Sequence, residues 1–207
     1  MNKTLTLAKP FRAKKAQSGM AMIEVLITIL VSTIGLLGIA SLQSVALKGS
    51  LDSSQRTAAT SIVGDLVERI RANPVGRRAD NYAEYFVQYA SCAKNTPPPV
   101  NICSDYYDQA NAKAIEAVSC TGEQLAEFDA WELSCGYLNK DKHTSSPVNF
   151  LVAPTITVMC TDAEPADAFD CSDNSDHEIE LTWTASSKAA NRNDGNETRT
   201  VAITTGI

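Results

Sequence analysis

Six cysteines, Cys92, Cys103, Cys120, Cys135, Cys160 and Cys171, are the residues of this 207-residue sequence best suited to covalent chemistry, and all lie beyond residue 90. None belongs to a Cys-x-x-Cys pair, the spacing that zinc ribbons and thioredoxin-type redox sites need, so the pattern points to structural disulfides. Disulfides imply folding in an oxidising compartment. Proximity favours pairing Cys92 with Cys103, Cys120 with Cys135 and Cys160 with Cys171. Each loop so closed would contribute about 3 kcal/mol in the chain-entropy description.

The second candidate centre surrounds His177, which lies among Asp170, Asp173, Asp176, Glu178 and Glu180. Hard carboxylate oxygens at that density can hold calcium, but the spacing departs from an EF-hand loop and the central glycine is missing. A solvated acidic loop is the expectation, with no metal and no cofactor. His143, between Lys142 and Thr144, reads as an exposed loop residue. The sequence has no G-x-S-x-G, no H-E-x-x-H and no phosphate-binding glycine loop, so an enzyme is not expected.

The third candidate is a single carboxylate. Glu24 opens a stretch without another charge until Lys48, and Val25 to Leu42 reads VLITILVSTIGLLGIASL, long enough to cross the hydrocarbon core as a helix. Residues 1–19 carry Lys3, Lys9, Arg12, Lys14 and Lys15 with no acidic residue; since the whole chain is formally −6, residues 20–207 stand at −11. This bias keeps the N-terminus cytoplasmic and exports the remainder, in agreement with the cysteines. The acidic bulk argues against nucleic acid as a partner. An ordinary signal peptide would show the same basic and apolar regions, but the apolar run is too long for one and Glu24 stands at its start. A carboxylate in a bilayer costs about 2.5–3.5 kcal/mol near the centre and less at the edge, so it needs a partner. A cut after Gly19 would supply one, the new amino terminus of Met20 lying one helical turn away or on a neighbouring subunit.

The run Ser18-Gly19-Met20-Ala21-Met22-Ile23-Glu24-Val25-Leu26, preceded by Lys14-Lys15, resembles the prepilin cleavage site of type IV pilins and type II secretion pseudopilins. The resemblance implies that a membrane peptidase cuts after Gly19, that Met20 is then N-methylated, and that Glu24 serves assembly. Met20 stands where the family usually has Phe, Ala21 where it usually has Thr, and the 19-residue leader is longer than that of many pilins. Ile34 to Gln43, IGLLGIASLQ, is similar to one branch of minor pilins, the type IV pilus modification proteins.

These residues require elements to carry them. Leu51, Ala58, Ala59, Ile62, Val63, Leu66 and Ile70 recur at three- and four-residue steps, so the apolar helix continues as an amphipathic one until Asn73-Pro74. From Ile23 to Asn73 it would span roughly 75 Å. Gly35, Gly38, Gly49 and Gly64 interrupt it, and Arg69, Arg71, Arg77 and Arg78 cluster at its end, where a solvated helix terminus is expected. Short helices are expected from Asp80 to Tyr89 and from Ser104 to Val118, and Thr121 to Gln124 has capping-box spacing before Leu125, Phe128 and Trp131. Thr155 to Cys160, Glu178 to Thr184 and Arg199 to Thr204 alternate as half-buried strands, with Asp194-Gly195 as a turn. Ile179, Leu181 and Trp183 would share the face that packs on the long helix.

The resulting expectation is an α+β, pilin-like fold, its long N-terminal helix packed on a C-terminal antiparallel sheet. Residues 1–19 form a cleaved leader, 20–47 a transmembrane and assembly helix, 48–73 its amphipathic continuation, and 74–207 a disulfide-containing head. The resemblance implies a minor pilin of a tip complex acting in pilus assembly, adhesion and twitching motility. Its partners would be the prepilin peptidase, other pilins, an inner-membrane assembly platform and the membrane. Its head would be periplasmic before assembly and at the pilus tip afterwards. The alternatives are a type II secretion pseudopilin and a membrane-anchored binding or sensor domain that does not polymerise.

Overall fold

The computed structural model describes residues 22–90, 92, 96–108, 111–139, 142–143, 146–185 and 198–207. The chain divides into two compact units, residues 1–46 and 47–207.

The long helix α1 runs without interruption from Met22 to Ala72. Gly35, Gly38, Gly49 and Gly64 do not break it, and a Cβ added at any of them would meet nothing within 4 Å. Asn73 ends it as the sequence requires, because the residue before a proline is pushed out of the α region. The Asn73 side chain then caps the next helix, α2 (Pro74–Arg78), by accepting from the Gly76 N–H at 3.1 Å. Helix α3 (Asn81–Gln88) follows. Asp80 sits at its N-cap position without a side-chain cap, since its left-handed backbone (φ 49°) is not the extended conformation that aims a cap oxygen at the helix.

The helix expected from Ser104 to Val118 is instead an antiparallel hairpin, β1 (Tyr106–Asp108) with β2 (Lys113–Ile115). Two non-local devices override the local pattern. A disulfide between Cys103 and Cys120 closes the hairpin's base, and the Tyr106 ring stacks on Tyr137 with centroids 4.2 Å apart. Helix α4 (Gly122–Ser134) begins with the expected capping box, Thr121 and Gln124 each accepting from the other's backbone N–H. A minimal pair, β3 (Leu138–Asn139) with β4 (Lys142–His143), leads to a 3-10 turn at Pro147–Phe150. His143 thus lies in a strand rather than in a loop.

The C-terminal sheet is antiparallel in the order β5 (Val152–Thr161), β6 (Asp176–Thr184), β7 (Thr198–Gly206). The Asp194-Gly195 turn lies outside the described residues. Alternation decides the register: Ile156 faces Leu181 and Val201 across the ladder, and Val158 faces Ile179 and Ile203. These rows form one side of the core, joined in a single cluster to Ala59, Ile62, Val63, Leu66 and Ile70 of α1 and to Phe128 and Trp131 of α4. The molecule is therefore α+β, a long N-terminal helix with a C-terminal three-stranded antiparallel sheet.

The amphipathic stripe of α1 differs from the expected one in two places. Leu51 is 40 % exposed, and Gln55, one helical turn before Ala59, is buried at 2 %. Hydropathy hid Gln55 because an amide scores as surface.

Candidate functional site: the apolar helix and the pinned head

Residues 22–51 of α1 are all exposed, and they include Met22, Ile23, Leu26, Leu30, Leu37, Leu42 and Leu47. Leu42 and Leu47 each show 72 % of their surface. Exposed apolar surface on this scale needs lipid or other apolar helices to cover it. Among the described residues α1 is the helix long and apolar enough to cross a membrane. Its hydroxyls are compatible with that medium: Thr28 and Thr33 donate to the carbonyls of Val25 and Leu30 at 2.9 and 2.8 Å, which satisfies them without water. Glu24 lies in the first turn, the only charge between Met22 and Leu47, where the positive pole of the helix dipole favours a carboxylate. Gly19 and Met20 lie outside the described residues.

In the head, the basic residues do not form a solvated helix end. Arg69 reaches Asp65 (2.9 Å), Asp129 (2.8 Å) and Glu132 (2.7 Å), and Arg71 pairs with Glu68 at 2.8 Å. Arg77 and Arg78 both grip Asp173. The cluster is neutralised by its own chain. Asp129 is 4 % exposed, and burial raises its carboxyl above the ordinary value, opposed by its hydrogen bonds from Arg69 and from the Tyr82 hydroxyl at 3.0 Å. Asn73 completes the junction, donating to Tyr82 Oη and to the Gly122 carbonyl.

All six cysteines form disulfides, but proximity identifies only one pair, Cys160 with Cys171. The other two are Cys92 with Cys135 and Cys103 with Cys120. Helices α3 and α4 are tied together by bonds from Tyr82 Oη to Asp129, from Tyr85 Oη to Glu123 and from Tyr89 Oη to Glu127, and Cys92, just beyond α3, joins Cys135 at the C-cap of α4. The Cys103 and Cys120 pair is set by the hairpin, whose ladder extends to the bond from Val118 N–H to the Ile102 carbonyl.

The acidic residues Asp170, Asp173, Asp176 and Glu178 are exposed, as a solvated acidic segment requires, but the histidine among them is not. His177 is 2 % exposed, on the core face of β6, and burial lowers its pKa. Asp173 is held by the two arginines. Asp162 accepts from Ser172 Oγ and N–H, from the Glu164 N–H and from Ser175 Oγ, and these donors, the Ser172 side chain foremost, hold its carboxyl at about 2. Asp80 moves the opposite way, to about 6, through burial and the negative charge of Asp170.

Sequence reasoning missed the buried polar groups Gln55, Asn73, Asp129 and His177. It also missed Gly76 and Gly122, whose missing side chains let α2 and the start of α4 touch. A signal was present for one of them, since Asn before Pro is a common cap.

The family model described as Tt1218-like, type IV pilin Tt1218, matches residues 41–131. These residues run from the apolar part of α1 through the junction to Trp131 of α4. No curated protein and no solved structure matches the chain. Over the matched residues the chain is similar to a family of structural proteins, the type IV pilins; the long apolar helix and the antiparallel sheet are consistent with the pilin fold, and the helix with a membrane anchor.

Proposed function

We propose that this chain is a minor type IV pilin, of the branch termed type IV pilus modification protein or PilV, which joins a tip complex and promotes pilus assembly. The observation that carries the proposal is the exposed apolar run from Met22 to Leu47 with Glu24 as its single charge. That surface suits two successive environments, a bilayer before assembly and an apolar bundle of pilin helices afterwards. In either one Glu24 needs a cation, and a terminal amine at Met20 provides it. The peptidase partner would cut after Gly19, and residues 20–47, 48–73 and 74–207 would then act as assembly helix, amphipathic continuation and exported head. Other pilins and the inner-membrane platform are the further partners, with adhesion and twitching as the cellular roles.

Mass and N-terminal sequence of the membrane-extracted protein test the processing: a chain starting at N-methyl-Met20 is expected, and an unmodified terminus upstream of Gly19 refutes it. Glu24→Val separates processing from assembly. The variant should be cleaved and folded yet missing from sheared filaments, and its incorporation at the wild-type level would refute the charge-pairing role. A pseudopilin of a type II secretion system would instead leave pili intact and block protein secretion when deleted.

A further inference from the structure

Cys160 and His177 are directly opposed in the β5–β6 ladder, on the face that carries Val158 and Ile179 to the core. The loop between the strands returns Cys171 to the same point, so that Cys160 Sγ, Cys171 Sγ and a ring nitrogen of His177 all lie within 4.8 Å of one another. Cys171 Sγ is 3.2 Å from His177 Nε2. The other ring nitrogen, Nδ1, is 3.3 Å from the Ser175 carbonyl, a far stronger acceptor than the disulfide sulfur facing Nε2; the carbonyl therefore favours the proton on Nδ1, which turns the Nε2 lone pair toward the sulfurs. That is the arrangement in which an outer hydrogen bond fixes the tautomer of a metal-ligating histidine.

The loop does not depend on the disulfide for its position. The Cys171 N–H donates to the Arg78 carbonyl at 3.1 Å, Ser172 and Ser175 bind Asp162, and Asp173 is held by Arg77 and Arg78. The cysteine Cα atoms are 6.1 Å apart, a separation from which two thiolates can share one tetrahedral ion by side-chain rotation. Cys171 and His177 are buried and Cys160 is half-buried, which leaves one side open to solvent.

We propose that Cys160, Cys171 and His177 form a redox-gated site for a thiophilic divalent cation of the zinc class, closed while the cysteines are joined and opened when they are reduced. A dithiol reductant supplies the two electrons and two protons by thiol–disulfide exchange, itself leaving as a disulfide, and the Cys160–Cys171 bond becomes two thiols. The cation then displaces both thiol protons and takes the Nε2 lone pair, leaving a fourth position for water. Two sulfurs and one nitrogen suit a borderline-soft ion, and among the described residues no carboxylate joins the set that would favour calcium or magnesium.

The test uses the full chain in detergent. A phosphine reduces it, taking oxygen from water as it supplies the electrons, and is removed under anaerobic conditions before Co2+ is added as the probe. One equivalent should produce thiolate-to-cobalt charge-transfer absorbance, which Zn2+ abolishes, and the unreduced protein should show none. Cys160→Ser and Cys171→Ser should each remove the band, and His177→Gln, which deletes a direct ligand, should weaken binding by more than the roughly 10–100-fold that loss of an outer partner costs. Because His177 is buried and its replacement can disturb folding, the imidazole nitrogen spectrum of the wild-type protein with Cd2+ provides a reading without that variant: the His177 Nε2 resonance should shift on binding. No band in reduced wild-type protein, a band unchanged in Cys160→Ser, or an unshifted Nε2 resonance would overturn the proposal.

Discussion

The junction centred on Arg69 offers the sharpest test of how the head is held together. In Arg69→Met the methylene packing is largely kept while the guanidinium is lost, so Asp129 remains buried with only the Tyr82 hydroxyl as donor. Breaking a fully buried ion pair by removing one partner costs about 3–5 kcal/mol. The Arg69 side chain is 28 % exposed, and Glu132 keeps its bond from Tyr137 Oη, so the cost is discounted below that range, to about 2–3 kcal/mol at pH 7. Asp129→Asn should cost less, about 1 kcal/mol, because Arg69 retains Glu132 and Asp65 and the amide is neutral. The double variant should recover part of the Arg69→Met loss.

The pH dependence carries the sign. Burial already raises Asp129 in the folded protein, and without Arg69 it rises further above its unfolded value. Stability linked to such a group is present below the unfolded pKa and is lost as pH rises through the folded one. The penalty of Arg69→Met should therefore shrink from pH 7 toward pH 4, by at most about 1.4 kcal/mol per pH unit for a single proton. Urea unfolding of the full chain in detergent, followed by the fluorescence of Trp131 and Trp183, each 1 % exposed, measures both quantities. A loss below about 0.5 kcal/mol, of the order of an exposed ion pair, or a loss independent of pH would refute the reasoning.

Three further outcomes are expected. Non-reducing peptide mapping should recover Cys92 joined to Cys135 and Cys103 to Cys120; replacing the first pair by Ala should cost about 4 kcal/mol and the second about 3, because they close segments of 43 and 17 residues. Gly122→Ala should lower stability by about 1–3 kcal/mol, since its Cβ would fall 2.6 Å from Val75 Cβ and 2.9 Å from the Gly76 nitrogen, whereas Gly64→Ala, facing open space within a helix, should be neutral or stabilising by up to about 1 kcal/mol. Asp80→Asn should raise the unfolding midpoint above pH 6, with the gain fading toward pH 4, because the folded carboxyl titrates at about 6 and an amide tolerates the left-handed backbone at φ 49°; thermal melts across that range would show it.

What the sequence made legible follows from the range over which each signal acts. Helix α1 was readable because its apolar run and its three- and four-residue stripe are local repeats, and β5, β6 and β7 because alternation is also local. The capping box at Thr121 is a four-residue device and appeared as expected. The hairpin at Tyr106 was not readable: its strands are three residues long, and what fixes them is a ring on Tyr137 and a disulfide to Cys120. Cysteine pairing failed for the same reason. Loop-closure entropy favours near partners by only about 1 kcal/mol between loops of 11 and 43 residues, so helix packing readily outweighs it when α3 and α4 bring Cys92 beside Cys135. Asp129 and His177 were hidden by a different rule, that polar residues are assigned to the surface. Burial of either one is tolerable only once its partners are in place, Arg69 and Tyr82 for the first, Ser175 for the second, and those partners come from the tertiary fold or a neighbouring backbone carbonyl that hydropathy does not register.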